Sequence, residues 1–153
     1  GLANRHAAAR ALDERLGRIP EPLTVMLLDL DHFKQINDSH GHQAGDAVLR
    51  DAAARMRAAL PSGALLGRWG GEEWLLVMPG TAAAEAPAVF ERLRARFAAS
   101  PAEGIAGAHG VTFSMGAAEL RAGTTSLDGL LAECDRRLYA AKQSGRDRAC
   151  CEG

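Results

Sequence analysis

Alternating helices and strands around a sheet that is at least partly antiparallel is the arrangement the sequence predicts, and three observations carry it. Apolar residues flank Gly70-Gly71 on both sides, from Arg68-Trp69 to Trp74-Leu75-Leu76-Val77. That pattern reads as a β-hairpin, with glycine supplying the positive φ of a two-residue primed turn. Upstream, Val25-Met26-Leu27-Leu28 is a nearly unbroken apolar run, as expected of a central strand buried on both faces. Between and after these strands, three stretches place apolar residues three and four apart, the spacing of amphipathic helices. A chain of 153 residues suits one domain that buries roughly two-thirds of the surface its unfolded form exposes.

In chain order, residues 3 to 17 are rich in Ala, Arg and Leu and predict a first helix, stopped by Gly17, Pro20 and Pro22. Residues 22 to 30 form the first strand. Phe33 and Ile36 then sit on a short helix or turn, and Ser39 to Gly45 reads as a polar, Gly-punctuated loop. Asp46 begins a helix carrying Val48, Leu49, Ala52, Ala53, Met56 and Leu60, ended by Pro61 and Gly63. As an isolated feature, Asp46 would be its N-cap. Residues 64 to 69 and 72 to 78 are the hairpin. Thr81 to Ser100 is a helix with Val89, Phe90, Leu93 and Phe97 on one stripe and Pro87 in or near its first turn. After a Gly-rich connection at Pro101 to Gly110, Val111, Phe113, Met115 and Ala117 alternate with Thr112, Ser114 and Gly116, a half-polar strand. Leu127, Leu130, Leu131, Cys134, Leu138 and Ala141 mark a last helix, capped by Thr125 or Ser126 and stopped by Gly145. Residues 146 to 151 are a candidate edge strand.

Composition excludes several function classes. The chain is 47% apolar and 24% charged with a formal charge of -1, which lacks the basic excess duplex nucleic acid demands. No apolar run approaches the length of a membrane span and no signal-peptide core opens the chain, so no membrane contact is expected. Cys134, Cys150 and Cys151 are odd in number and fit a reduced, cytoplasmic setting. The five histidines show no zinc spacing.

Two acidic strand ends stand out. The first strand closes on Asp29-Leu30-Asp31, whose two acids share a face by alternation. Glu72 and Glu73 follow the paired glycines and, being adjacent, cannot both lie on one face. If the two strands are neighbours, Asp29 and Glu72 converge as hard oxygen ligands. Such a pair suits Mg²⁺, which takes one or two carboxylates and completes its shell with water and phosphate oxygens.

These residues also carry a family resemblance. Gly70-Gly71-Glu72-Glu73-Trp74 resembles the signature of GGDEF-family diguanylate cyclases in its Glu-for-Asp form, with Trp where Phe is usual. Asp29-Leu30-Asp31-His32-Phe33-Lys34-Gln35-Ile36-Asn37-Asp38, Gly41-His42-Gln43-Ala44-Gly45-Asp46 and Ala141-Lys142-Gln143-Ser144-Gly145-Arg146 match three more family blocks, in family order. The resemblance covers nearly all of residues 1–153. It implies an α+β fold, the ferredoxin-like nucleotide-cyclase palm, with a central five-stranded mixed or antiparallel sheet flanked by helices. It implies a bacterial second-messenger enzyme, a nucleotidyltransferase making cyclic di-GMP from two GTP with Mg²⁺ or Mn²⁺, as a homodimer. Gly1-Leu2-Ala3-Asn4-Arg5 resembles the second half of the family's opening motif. A piece of a longer protein is therefore expected, whose N-terminal part would drive dimerisation or anchor it to a membrane.

The roles implied fall on specific residues. Asp29 and Glu72 are the metal ligands, helped by the Leu30 carbonyl, and Glu73 touches a metal or the attacking hydroxyl. Asp46 accepts from the guanine N1-H and N2-H₂ edge, and Asn37 meets another part of the base. Lys142 and Arg146, four apart on one side of a helix end, take the β- and γ-phosphates. Phe33 and Lys34 lie where backbone N-H groups and an ammonium reach the triphosphate, although Phe33 fits the core equally. Two departures stand against this. The family's product-inhibition motif, Arg-x-x-Asp five residues before the glycines, is here Pro61-Ser62-Gly63-Ala64, and Trp74 replaces Phe at a packed position. The rival readings are a degenerate module that binds GTP or cyclic di-GMP without turnover, and a related palm using ATP.

Overall fold

β1, Leu23–Leu30, occupies the middle of the sheet and is buried on both faces, because its apolar run meets helices above and below. The computed structural model describes residues 22–99, 110–120 and 126–152, together with Arg10, Asp13 and Glu14. The expected first helix at residues 3 to 17 and the connection at 101 to 109 otherwise lie outside the described residues. After β1 come α1 (Phe33–His40), α2 (His42–Ala59), β2 (Leu65–Arg68), β3 (Glu73–Pro79), α3 (Ala86–Ala98), β4 (Phe113–Glu119), α4 (Leu127–Gln143) and β5 (Ala149–Cys150). The five strands run in the order β2-β3-β1-β4-β5. β1 pairs antiparallel with β3 and β4, β2 pairs antiparallel with β3, and β5 adds parallel to β4. This is the mixed α+β sheet the sequence predicts, with the candidate edge strand present.

Strand alternation divides the core. Met26, Leu28, Leu30, Trp74, Leu76, Met115 and Ala117 face α2 and α3. Leu23, Val25, Leu27, Leu75, Val77 and Ala118 face α4 through Leu130, Cys134 and Leu138. Trp74 is fully buried, so the larger ring is accommodated in the core, with the Arg68 guanidinium 5.6 Å from its ring centre. β4 is not half-exposed as its alternation suggests. Ser114 and Gly116 face α4, which lies so close that a Cβ on Gly116 would fall 2.2 Å from the Cys134 carbonyl oxygen and 2.3 Å from the Leu138 nitrogen. Of the two candidate caps, Ser126 is the one, its hydroxyl accepting from the Gly129 N-H at 3.0 Å. Pro87 lies in the first turn of α3, as predicted. Among the described residues no helix is long and apolar enough to cross a membrane.

Three local expectations are corrected. The Gly70-Gly71 turn is not a two-residue primed turn. β2 ends at Arg68 and β3 begins at Glu73, the Trp69 and Gly70 N-H groups both donate to the Glu73 carbonyl, and neither glycine is left-handed. Side chains stabilise this wider loop: Arg68 donates to the Gly70 and Gly71 carbonyls, and Glu73 Oε1 sits 2.7 Å from where a Gly70 Cβ would be. Ser39 to Gly45 is not a loop either, since α1 runs to His40 and α2 starts at His42. A single left-handed residue, Gly41 at φ 88, makes the corner. Asp46 is therefore inside the first turns of α2 rather than its N-cap.

Candidate active site

β1 and β3 are hydrogen-bonded neighbours, and their register sets Asp29 directly opposite Glu73, one residue from Glu72. The Leu30 N-H donates to the Glu72 carbonyl at 3.2 Å, so the two acidic strand ends meet at one end of the sheet. Alternation sends Asp29 to the α4 face, where the Lys142 ammonium from the last turn of that helix lies 3.5 Å from Asp29 Oδ1 and 3.4 Å from Asp31 Oδ1. Asp29 Oδ1 is buried and accepts no hydrogen bond. Its carboxyl is raised to about 6 by burial, against the pull of Lys142, and Glu72 and then Glu73 push it further up.

A hard divalent cation fits this arrangement. It would relieve the burial of Asp29 and the repulsion among the three carboxylates, and Asp29 and Glu72 supply the one or two acidic oxygens that Mg²⁺ or Mn²⁺ takes from protein. Among the described residues no three of His, Cys, Asp and Glu form a closed cage.

The buried charge has a consequence in metal-free buffer. Folded Asp29 holds its proton to a higher pH than the unfolded residue, so it favours the folded state fully below 3.8 and loses that contribution as pH rises to about 6. Asp29→Asn is expected to match wild type near pH 4 and to melt higher near pH 7, by the equivalent of about 1–2 kcal/mol, less than the full linkage value because the carboxylate is partly solvated. Thermal melts in chelator at both pH values check this. A difference that does not grow with pH would remove the buried charge as its cause.

The base-reading candidates lie across the Gly41 corner. Asn37 on α1 packs against α2 at Gly45, where a Cβ would be 1.8 Å from Asn37 Oδ1 and 3.3 Å from Phe33 Cζ. Gly45 thus lets the two helices close up, and the next residue, Asp46, is exposed. Phe33 opens α1 and its ring packs against the core, while Lys34 is exposed in the same first turn. The N-H groups of that turn have no partner within the helix.

Arg146 departs from expectation. It does not share a helix face with Lys142, because α4 ends at Gln143 and Gly145 turns the chain at φ 127. Arg146 and Asp147 follow with φ of 64 and 50, two successive non-glycine residues in the left-handed region. Sequence reasoning also passed over Asp31, whose side chain is 0% exposed at the centre of a polar cluster of Thr112, Ser114, Lys142 and Asp147. The signal was present: Asp31 on one strand, and Thr112 and Ser114 alternating at the start of another. A cleft of about 320 Å³ is lined by Asp31, His32, Gln35, Ile36 and Gly110–Thr112. It contains neither Asn37, Asp46 nor Glu72, so the strand ends rather than the cleft define the site.

A ferredoxin-like palm with acids at adjacent strand ends and a lysine on the helix above defines a nucleotide-cyclase class of domain. The comparisons narrow the class. Residues 1–148 match the family model for the diguanylate cyclase GGDEF domain. The response regulator PleD of Caulobacter vibrioides is 37% identical over 155 residues, covering 96% of this chain and 34% of that protein. The diguanylate cyclase SiaD, solved with its activator SiaC from Pseudomonas aeruginosa, superposes with a TM-score of 0.88 at 37% identity, over 97% of this chain and 58% of that one. The active GGEEF domain of a diguanylate cyclase from Vibrio cholerae matches at a TM-score of 0.83 and 33% identity, over 98% of this chain and 97% of that one. The chain belongs to the GGDEF diguanylate cyclase family, an enzyme family that depends on divalent metal, and it spans about a third of PleD.

Proposed function

We propose that this chain is a diguanylate cyclase catalytic domain, condensing two GTP into cyclic di-GMP and two pyrophosphates. The observation that carries the reading is the meeting of Asp29 with Glu72 and Glu73 at one end of the sheet, under the Lys142 ammonium. Each GTP 3′-oxygen forms a bond to the α-phosphorus of the other GTP, the bond to the pyrophosphate oxygen breaks, and the hydroxyl proton is lost. When bound, Mg²⁺ or Mn²⁺ lowers the pKa of the attacking hydroxyl and neutralises charge on the attacking and leaving oxygens.

The residues supply the rest. Asp29, Glu72 and the Leu30 carbonyl hold the metal, and Glu73 stands beside the attacking hydroxyl or a second ion. Asp46 accepts the two donors of the guanine edge, Asn37 donates and accepts at the same base, and Lys142, Arg146, Lys34 and the N-H groups around Phe33 receive the triphosphate. Adenine presents a donor and an acceptor where guanine presents two donors, so the lone Asp46 carboxylate favours GTP over ATP. One domain binds one GTP, so two copies meet face to face and the rate depends on dimerisation.

The reading is tested by incubating the chain with GTP or ATP and Mg²⁺ at several protein concentrations and identifying products. Cyclic di-GMP from GTP, rising faster than linearly with protein, is expected. GTP binding without turnover at any concentration would leave a regulatory module instead. The turn at Pro61-Ser62-Gly63-Ala64 offers neither a guanidinium nor a carboxylate to the product. Calorimetry is therefore expected to find no submicromolar cyclic di-GMP binding at that turn; such binding, lost on altering residues 61 to 64, would overturn the expectation.

A further inference from the structure

Asp29 and Asp31 leave the same strand end on the same face, yet their surroundings differ. Asp29 keeps a carboxylate oxygen free of hydrogen bonds. Asp31 has none to spare. Its Oδ1 accepts from the Ser114 hydroxyl at 2.7 Å and the Lys142 ammonium at 3.4 Å, and its Oδ2 accepts from the Thr112 hydroxyl at 2.7 Å and the Asp147 N-H at 3.0 Å. Four donors fill the sites a carboxylate offers, which leaves no oxygen lone pair for a metal or a substrate.

The four donors come from β4 and its approach, from the last turn of α4 and from the segment beyond it. Lys142 is one of the two cations assigned to the β- and γ-phosphates. The other, Arg146, immediately precedes the amide that Asp31 holds, in a turn whose Arg146 and Asp147 both have left-handed backbone. The turn is held from the other side by Arg94, whose guanidinium lies 2.7 Å from Asp147 Oδ2. Lysine and arginine have long, rotamer-rich side chains, so pointing two of them at one phosphate group needs a fixed reference.

We propose that Asp31 is the positioning residue of the phosphate site, a buried carboxylate that aims Lys142 by direct contact and Arg146 through the neighbouring Asp147 amide. This rests on the nucleotide reading above. Asp31 touches no substrate. It fixes where the two cations stand before GTP arrives, and it acts on the β- and γ-phosphates alone, since the base-reading residues lie on α1 and α2.

Asp31→Asn tests this, because the amide keeps the shape while one oxygen becomes a donor and can no longer accept. Binding is measured with 3′-deoxy-GTP, which lacks the attacking hydroxyl and cannot condense, and with GMP, which lacks the β- and γ-phosphates, both with Mg²⁺. The expected result is a loss of about tenfold for 3′-deoxy-GTP, the size of effect typical of groups that orient ligands, with GMP changed less than about twofold. Amide exchange at Asp147 in the nucleotide-free chain should quicken. Equal losses for both nucleotides, or none, would overturn the proposal. If Asp31→Asn does not fold, Thr112→Val, which removes one donor and keeps the carboxylate, should show the same selectivity at smaller size, and its absence counts equally against the idea. A wild-type chain that binds neither nucleotide sinks the functional reading itself. The Asp147 amide then decides the anchor alone, and unchanged protection in the variant removes it.

Discussion

Glu72→Gln is expected to lower turnover at least about a hundredfold while leaving the melting temperature unchanged or slightly raised. Residues that only support a metal ligand typically cost 10–100-fold when lost, so removing the charge of a ligand should cost more. The fold should be indifferent, because Glu72 is partly exposed, lies outside the core and lends its carbonyl rather than its carboxylate to the Leu30 N-H. The small rise comes from repulsion, since Glu72 is one of the charges that push Asp29 up. Kinetics and thermal melts on the same preparation check both halves. Turnover within a few-fold of wild type would remove Glu72 from the chemistry, and a collapse in melting temperature would make it structural.

Gly116→Ala is expected to destabilise the chain by about 3 kcal/mol, the upper end of the usual range for overpacking. The obstacle is backbone: the added methyl would meet the Cys134 carbonyl oxygen and the Leu138 nitrogen at little over 2 Å, and no side-chain rotation relieves it. α4 must move off the sheet. For a chain of this size the loss corresponds to a fall of roughly 6–12 °C in melting temperature. Because α4 carries Lys142, surviving protein should also bind GTP more weakly. Urea denaturation checks the stability, and a cost below about 1 kcal/mol would mean that α4 does not pack this closely on β4.

The close approach at Gly116 is one of the features the sequence could not reveal. A Thr-x-Ser-x-Gly alternation reads as a half-wet strand, because nothing local says that a helix more than ten residues later will cover its polar face. The same reason hid Asp31. Its neighbours are distant in sequence, and only the fold gathers its four donors. The Gly-Gly turn departs from the tight hairpin for a different reason. Two glycines between apolar runs favour a tight hairpin, but Arg68 and Glu73 fold back over the backbone and stabilise a wider loop. Arg146 lies off the helix because Gly145, a stop signal legible in the sequence, turns the chain before the four-residue spacing can set a shared face.

By itself the sequence determined the strand and helix order of the described chain, the central place of β1, the Ser126 cap as one of two candidates, and the family, because each rests on local periodicity or on contiguous blocks of residues. Only the tertiary structure decided which acid faces the open edge and which is sealed inside, how α1 and α2 close on each other at Gly45, and what holds the cations above the strand ends. Apart from the closure at Gly45, those depend on contacts between segments about a hundred residues apart, and hydrogen-bond saturation of a carboxylate is a property of the folded neighbourhood, which no spacing of letters contains.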